Sequence, residues 1–257
     1  MNKYAVWYWD GIGPLPEKFG YKTLNMVSES QDYDLDAHAL RVATMADGLE
    51  SGEHLVINVE HYGRSNVVHA IRLIHAARVA NPSIFIGVYV TQANGDPWGL
   101  CGKLPTPKDN ALAVSVTNEA LEQLAPWVDF WCVDLYTGET TEGQPIRFFD
   151  RANPATLDID QDATWEVIAA TRVAMLERFN KPWMGFMAVT AISGTPKARA
   201  TTIDKNRLYA RAAWCRNKGA DSIAVLVWDD ARKKSAGTGA VANTPDIQQA
   251  LNAIGKL

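Results

Sequence analysis

Segments with the two-residue period of β-strands alternate along this chain with segments of helical period. Strict alternation of this kind predicts a parallel sheet covered by helices. Seven strands are clear and an eighth is irregular, and a length of 257 residues is typical of one eight-stranded α/β barrel. Because no linker or shift in composition divides the chain, we predict a single domain over residues 1–257.

A TIM-type (β/α)8 barrel is favoured over an open, doubly wound sheet. The Gly-Ile-Gly-Pro after the first strand lacks the third glycine of a dinucleotide-binding turn, and Pro14 and Pro16 stand where the phosphate-binding helix should begin. Polar residues also recur at strand ends all along the chain, which is typical of a barrel with its site at one end. The open sheet is the alternative.

Local signals predict the bounds of several elements. Asp34 or Asp36 is suited to cap a helix from Ala37 to Glu50, and Gly52 is suited to end that helix. A second strand is expected from Thr23 to Val27, where β-branched and apolar residues follow a turn.

The most informative strand runs from Leu55 to Val59 and is followed by Glu60-His61-Tyr62-Gly63. Its apolar positions alternate with Asn58 and Glu60, so these two side chains share one face of the strand. If the strand lies between two others, Asn58 is buried, and burial of an amide without partners costs about 2 kcal/mol or more. We therefore favour a functional role over a solvated strand end.

Acidic residues stand at the ends of several predicted strands. The carboxyl ends of all strands in such a barrel open on one face, so these acids are expected to converge on one cleft. In the strand that begins at Asp129, alternation directs Leu135 toward the helices and Asp134 toward the barrel axis. The strand-end acids are Asp10, Glu29, Glu60, Asp134 and Asp229.

No basic residue occupies an equivalent strand-end position, which argues against a phosphate clamp and against a Schiff-base lysine. Carboxyl groups beside aromatic rings are typical of glycosidic bond cleavage, because aromatic faces stack on sugars while carboxyl groups transfer protons. The aromatic residues expected to bind substrate are Tyr62, Tyr89, Trp98, Tyr136 and Trp228.

The Asn58-Val59-Glu60 strand end resembles the Asn-x-Glu pair of endo-β-N-acetylglucosaminidases and, more distantly, the Asp-x-Glu pair of chitinases and hyaluronidases. The stretch from Gly219 to Trp228 is similar to the closing strand of many glycoside hydrolase barrels, whose terminal Trp floors the sugar site. The resemblance implies that Glu60 is the acid/base. It also implies that Asn58 orients a substrate N-acetyl group, which acts as the internal nucleophile.

A second mechanism needs no N-acetyl group and pairs Glu60 with Asp134 as the nucleophile. Retention requires the two carboxyl groups to lie about 5 to 5.5 Å apart, whereas a gap of about 6.5 to 9.5 Å implies inversion. In either mechanism Glu60 must be protonated near neutral pH, which burial against aromatic walls favours. Asp10, Tyr136 and Asp229 are expected to hold sugar hydroxyls, with Glu29 as a further substrate-binding residue.

Two other classes of function are alternatives to a glycoside hydrolase, and the sequence argues against the second of them. The barrel could bind carbohydrate without cleaving it, or serve as a structural or adhesive component of a larger particle. A metal-dependent hydrolase would need three ligands at strand ends, and only His61 lies near, pointing away from Glu60 by alternation. We therefore expect no metal and no cofactor.

Charge and hydropathy limit the partners of this chain. A formal charge of -4 and a pI near 5.7 provide no basic surface for nucleic acid or for an anionic membrane. The apolar run at the N-terminus is too short for a signal peptide, and no segment reaches the roughly 20 apolar residues of a membrane span. We expect synthesis in the cytoplasm, with release by lysis or as part of a particle, and a carbohydrate as the partner; the pattern does not predict an oligomeric state.

Overall fold

The computed structural model describes residues 1–7, 20–28, 34–58, 65–90, 119–135, 161–188, 190–191, 201–202, 205–227 and 245–257. The chain divides into two compact units. The first unit comprises Met1–Leu24, Asp134–Ala169 and Trp183–Leu257, and the second comprises Asn25–Val133 and Ala170–Pro182. The single domain expected from the sequence stays a prediction.

Short parallel strands alternate with helices of 11 to 17 residues. The strands are β1 (Asn2–Trp7), β2 (Lys22–Thr23), β3 (Asn25–Ser28), β4 (His54–Asn58), β5 (Phe85–Val90), β6 (Phe130–Asp134), β7 (Trp183–Ala188), β8 (Thr190–Ala191), β9 (Thr201–Thr202) and β10 (Ser222–Val227). The helices are α1 (Leu35–Asp47), α2 (Ser65–Ala80), α3 (Gln161–Glu177), α4 (Lys205–Asn217) and α5 (Pro245–Gly255), and residues 119–124 are also helical.

In the first unit, the hydrogen-bonded strand order is β2-β1-β10-β7, and its pairs are parallel. Strands β7 and β10 are almost wholly apolar, as is typical of strands buried on both faces. Gly185 of β7 faces helix α4, because a Cβ at this position would lie 2.9 Å from the Cys215 sulfur. The missing side chain allows the strand and the helix to approach closely.

In the second unit, the strand order is β6-β5-β4-β3, again with parallel pairing. Helix α2 packs on β4 and β5, and it also packs against α1. Trp131 of β6 is fully buried, and its ring centroid lies 5.5 Å from that of Phe179, just beyond α3. Trp131 therefore points toward the helices, as alternation predicts.

Capping decides the bounds of α1. Of the two predicted caps, Asp34 is the one used, since its carboxylate accepts hydrogen bonds from the backbone N–H groups of Asp36 and Ala37. The predicted end of this helix was wrong, because α1 stops at Asp47 with Gly48 as its C-cap. Gly52 lies instead in the turn before β4, with φ at 82°.

The expected strand from Thr23 to Val27 is divided at Leu24. Its first part, β2, pairs with β1, and its second part, β3, pairs with β4. Counting these parts separately, eight strands take part in the parallel pairing. The antiparallel pair of β8 and β9 was not predicted, since two-residue strands show no periodicity.

Candidate active site

The described residues include three of the side chains to which the sequence assigns a role: Asn58, Tyr89 and Asp134. Asn58 and Tyr89 belong to the second unit, and Asp134 belongs to the first. The remaining predicted site residues lie outside the described residues: Asp10, Glu29, Glu60, Tyr62, Trp98, Tyr136, Trp228 and Asp229.

Asn58 is the last residue of β4, which lies between β3 and β5. Its side chain is buried, with 6% exposed. This is the environment expected of an inner strand, in which an amide must be matched by polar groups. The structure therefore places Asn58 at a carboxyl-terminal strand end, and its role in substrate binding stays a prediction.

Asn58 lies level with Tyr89 of the neighbouring strand. Ile57 pairs with Val88, so the next position along each strand brings these two side chains side by side, and Tyr89 pairs in turn with Cys132 of β6. Asn58, Tyr89 and Cys132 thus form a row across three strands. Because Trp131 points toward the helices, this row lies on the opposite face of the strands. The second unit thus brings an amide, a phenol and a thiol into one row near its strand ends.

The row is closely packed. Tyr89 is only 2% exposed and is among the largest fully buried side chains. Below it, Gly87 faces the ring of Phe130, which occupies the space that a side chain at position 87 would need. Tyr89 is therefore part of a packed interior, and its predicted use as a sugar-stacking surface stays a prediction.

Asp134 ends β6 and is fully buried, with 0% exposed. The next residue, Leu135, points toward the helix layer. A Cβ built at Gly185 would lie 3.3 Å from Leu135 Cδ1 and 2.9 Å from the sulfur of Cys215 in α4, so the Leu135 side chain lies on the side of the strands that faces α4. Alternation therefore turns Asp134 to the opposite face, as predicted. A carboxyl group with no contact with solvent is kept in a fold only where nearby groups compensate its desolvation.

Residues of α3 and α4 lie behind this strand end. The Leu135 N–H donates to the Phe186 carbonyl at 2.8 Å, and the Leu135 carbonyl accepts from the Trp165 indole N–H at 2.7 Å. The Arg211 guanidinium lies 4.8 Å from the Trp165 ring centroid. No motif or periodicity in the sequence predicts either contact.

Arg211 is a buried cation. Burial lowers the pKa of Arg211 to about 9, so the guanidinium keeps its proton at neutral pH. Burial also raises the pKa of the neighbouring Cys215 thiol to about 12, so this thiol is neutral. The face of Trp165 is therefore one of the contacts of the buried charge.

A second buried polar pair joins α1 to α2. His38 Nδ1 and His69 Nε2 are 3.1 Å apart, and both rings are buried. Burial lowers the pKa of His38 to about 4, with smaller contributions from the charges of Arg41 and His69; burial and the Arg72 charge likewise lower the pKa of His69. Both imidazoles are neutral at pH 7.

Neither a metal-binding cluster nor a membrane-spanning helix occurs in the described part of the chain. Within it, no group of three or more His, Cys, Asp or Glu side chains is arranged to hold a metal ion. Its helices are all too short or too polar to cross a lipid bilayer.

Comparison with known proteins identifies the fold. No protein-family model matches the chain, and no curated protein matches its sequence. Among solved structures, bee venom hyaluronidase matches with a TM-score of 0.59 at 10% identity, over 98% of this chain and 99% of that one. The same enzyme in complex with a hyaluronic acid tetramer matches with a TM-score of 0.55 at 9% identity, over 93% of each chain.

A third structure, a putative alpha-L-fucosidase from Bacteroides thetaiotaomicron VPI-5482, matches with a TM-score of 0.52 at 10% identity, over 87% of this chain and 64% of that chain. These neighbours are thus a hyaluronidase and a putative alpha-L-fucosidase, and the likeness at this identity is one of fold. The chain has the TIM-type (β/α)8 fold, with parallel strands and helices between them, which confirms the fold class predicted from the sequence.

Proposed function

We propose that this protein is a glycoside hydrolase that cleaves a polysaccharide or glycan by carboxyl acid/base catalysis. The observation that supports the proposal best is the complete burial of Asp134 at the end of a strand, in a fold that the chain shares with hyaluronidase. A buried acid at the carboxyl end of a barrel strand is typical of a catalytic position, because stability alone does not require it there.

We assign the acid/base role to Glu60, two residues beyond the buried Asn58. Asn58 orients the substrate, and on an N-acetylated sugar it positions the acetamido group as internal nucleophile. On other sugars Asp134 is the nucleophile. The remaining predicted residues bind sugar hydroxyls and rings, and the reaction requires no cofactor.

The test is a screen of the purified protein against hyaluronic acid, chitin, peptidoglycan, bacterial capsules and N-glycans for newly formed reducing ends. Hyaluronic acid comes first because one structural neighbour was solved with its tetramer. Glu60→Gln should reduce kcat at least about a hundredfold, since loss of general acid/base catalysis costs about that much. Asp134→Asn should cause a similar loss if Asp134 is the nucleophile.

Two exposed acids provide matched controls. Glu177→Gln at the end of α3 and Asp47→Asn at the end of α1 make the same chemical changes away from the strand ends, and both should retain wild-type activity. Undiminished hydrolysis by Glu60→Gln would contradict the acid/base assignment. Glycan binding by the wild type without any product would contradict hydrolysis and support the non-catalytic alternative.

Product stereochemistry tests both mechanisms together, and variants of Asn58 and Asp134 separate one mechanism from the other. NMR of the first-formed anomer should show retention in either mechanism, because both pass through a nucleophilic intermediate. Loss of activity in Asn58→Ala, but not in Asp134→Asn, on an N-acetylated polymer would identify the acetamido group as nucleophile. An inverted product would contradict both assignments.

A further inference from the structure

The peptide groups on both sides of Leu135 are held by hydrogen bonds. Leu135 follows Asp134, and its N–H donates to the Phe186 carbonyl of β7 at 2.8 Å. Its carbonyl accepts from Trp165 of α3 at 2.7 Å, in a buried position. Backbone groups past the end of a strand lose their regular partners, so this carbonyl depends on a side chain for its bond.

The Trp165 ring is held in turn by α4. Arg211 lies over its face with the guanidinium carbon 4.8 Å from the ring centroid, and Trp214 contacts it edge-on with centroids 5.4 Å apart. An indole has one N–H donor and no acceptor, so the hydrogen bond to Leu135 occupies its whole polar capacity. The direction of that N–H is therefore determined by the packing of α3 against α4.

We propose that Trp165 is a positioning residue for Asp134, with Arg211 holding the Trp165 ring in place. This inference rests on the proposed function, in which the Asp134 carboxyl takes part in the reaction. Trp165 acts through the Leu135 peptide, whose hydrogen bonds on both sides restrict the backbone that carries Asp134. Displacement of a reacting group by about 1 Å can cost about a hundredfold in rate, so a partial loosening has a measurable effect.

The principal variant is Trp165→Phe, which removes the N–H donor and keeps an aromatic ring beneath Arg211. We expect kcat to fall about tenfold and KM to change by less than about twofold, because the substrate contacts are intact while the reacting carboxyl is misplaced. A purely structural role for Trp165 would not produce this division between kcat and KM.

Trp214→Phe is the matched control. It removes an indole N–H on the facing helix whose partner, at 3.1 Å, is the exposed Glu166 carboxylate rather than a strand end. Because phenylalanine keeps an aromatic ring against Trp165, we expect the kcat and KM of this variant to equal those of the wild type. An equal loss of kcat in both variants would overturn the positioning role, because it would show a general response of the α3–α4 contact.

Hydrogen–deuterium exchange provides a readout that does not depend on activity. The amide of Leu135 should exchange faster in Trp165→Phe than in the wild type, and at the wild-type rate in Trp214→Phe. Unchanged exchange of Leu135 together with unchanged kcat in Trp165→Phe would overturn the inference, and so would faster exchange with unchanged kcat.

A second variant covers the case in which Trp165→Phe does not fold. Arg211→Met leaves the donor in place, removes the cation that holds the ring, and keeps a long, flexible side chain to fill the space. We expect a smaller fall in kcat, about threefold, with faster exchange at Leu135. Wild-type kcat and exchange in Arg211→Met would overturn the role given to Arg211 and, where Trp165→Phe is unfolded, the inference itself.

The failure of this inference is distinguishable from the failure of the proposed function. If the wild type cleaves a glycan and Trp165→Phe cleaves it equally fast, the positioning role is wrong and the function stands. If the wild type cleaves none of the polymers, the function is wrong, and the positioning role fails with it.

Discussion

Two regions of the helix layer bury polar side chains in different ways. Between α1 and α2, the rings of His38 and His69 bond to each other, and burial keeps them neutral. Between α3 and α4, Arg211 remains charged and lies on Trp165, which binds the Leu135 carbonyl beside Asp134. The first region therefore carries no charge at neutral pH, whereas the second carries a buried positive charge.

Burial of a polar group is therefore not itself a sign of function. The histidine pair connects two helices. The tryptophan connects a helix to the backbone next to a predicted catalytic acid. The first region should therefore affect stability through pH, and the second should affect activity.

The largest expected effect on stability is acid destabilisation through the histidine pair. The pKa of His38 falls from 6.5 when unfolded to about 4 when folded, and the pKa of His69 is also lowered. Below pH 6.5 the unfolded chain binds more protons, so the free energy of unfolding falls as the pH decreases toward 4. The loss should be about 3 kcal/mol, measured by urea unfolding at pH 7 and pH 4.

The double variant His38→Gln with His69→Gln should remove most of this acid loss, because amides do not titrate in this range. His75→Gln is the matched control, since His75 lies exposed on the same helix α2. If the free energy of unfolding fell as much between pH 7 and pH 4 in the double variant as in the wild type, groups other than the histidine pair would be its cause.

The effect of Arg211 on the pH dependence of stability should be smaller, and absent between pH 5 and 8. Arg211→Met should change the free energy of unfolding by the same amount at each of these pH values, because Arg211 is protonated in both the folded and the unfolded chain over this range. Urea unfolding at pH 5, 7 and 8 measures this, and a difference that varied with pH over this range would contradict the contrast between the two regions.

Above pH 9, the protons bound to Arg211 in the folded and unfolded chains determine whether stability rises or falls with pH. The folded chain releases the Arg211 proton near pH 9, while the unfolded chain keeps it to a higher pH. The unfolded chain then binds more protons, so wild-type stability should rise with pH relative to Arg211→Met. Unfolding at pH 10 checks this direction.

The smallest expected effect concerns Arg72, whose charge helps to lower the pKa of His69. Arg72→Gln also removes an exposed ion pair with Asp36, which should cost about 0.5 kcal/mol or less at pH 7. Without the arginine charge, the pKa of His69 should rise toward its ordinary value, and the acid loss of stability should be slightly smaller. Arg216→Gln on α4 is the control, and an equal change in both variants would exclude a specific effect on the pair.

Local signals explain which parts of the fold were predictable. The cap at Asp34 was anticipated because an N-cap bonds to backbone groups two and three residues away. The burial of Asn58 and the direction of Leu135 followed from the two-residue period of strands. The division at Leu24 was not predictable, because it depends on the strands with which each part pairs.

The contacts of the buried polar groups were also beyond local signals. The partner of His69 is His38, 31 residues away on another helix. The hydrogen bond from Trp165 to the Leu135 carbonyl likewise spans 30 residues. No periodicity or cap relates such positions.

The sequence by itself determined the alternation of strands and helices, the α/β class, and the strand-end placement of Asn58 and Asp134. These follow from interactions between residues a few positions apart, which the order of side chains shows directly. Only the tertiary structure decided that His38 meets His69 and that Trp165 binds the backbone beside Asp134. Such pairings depend on how distant segments pack, because each buried polar group must find its partner wherever the folded chain brings one.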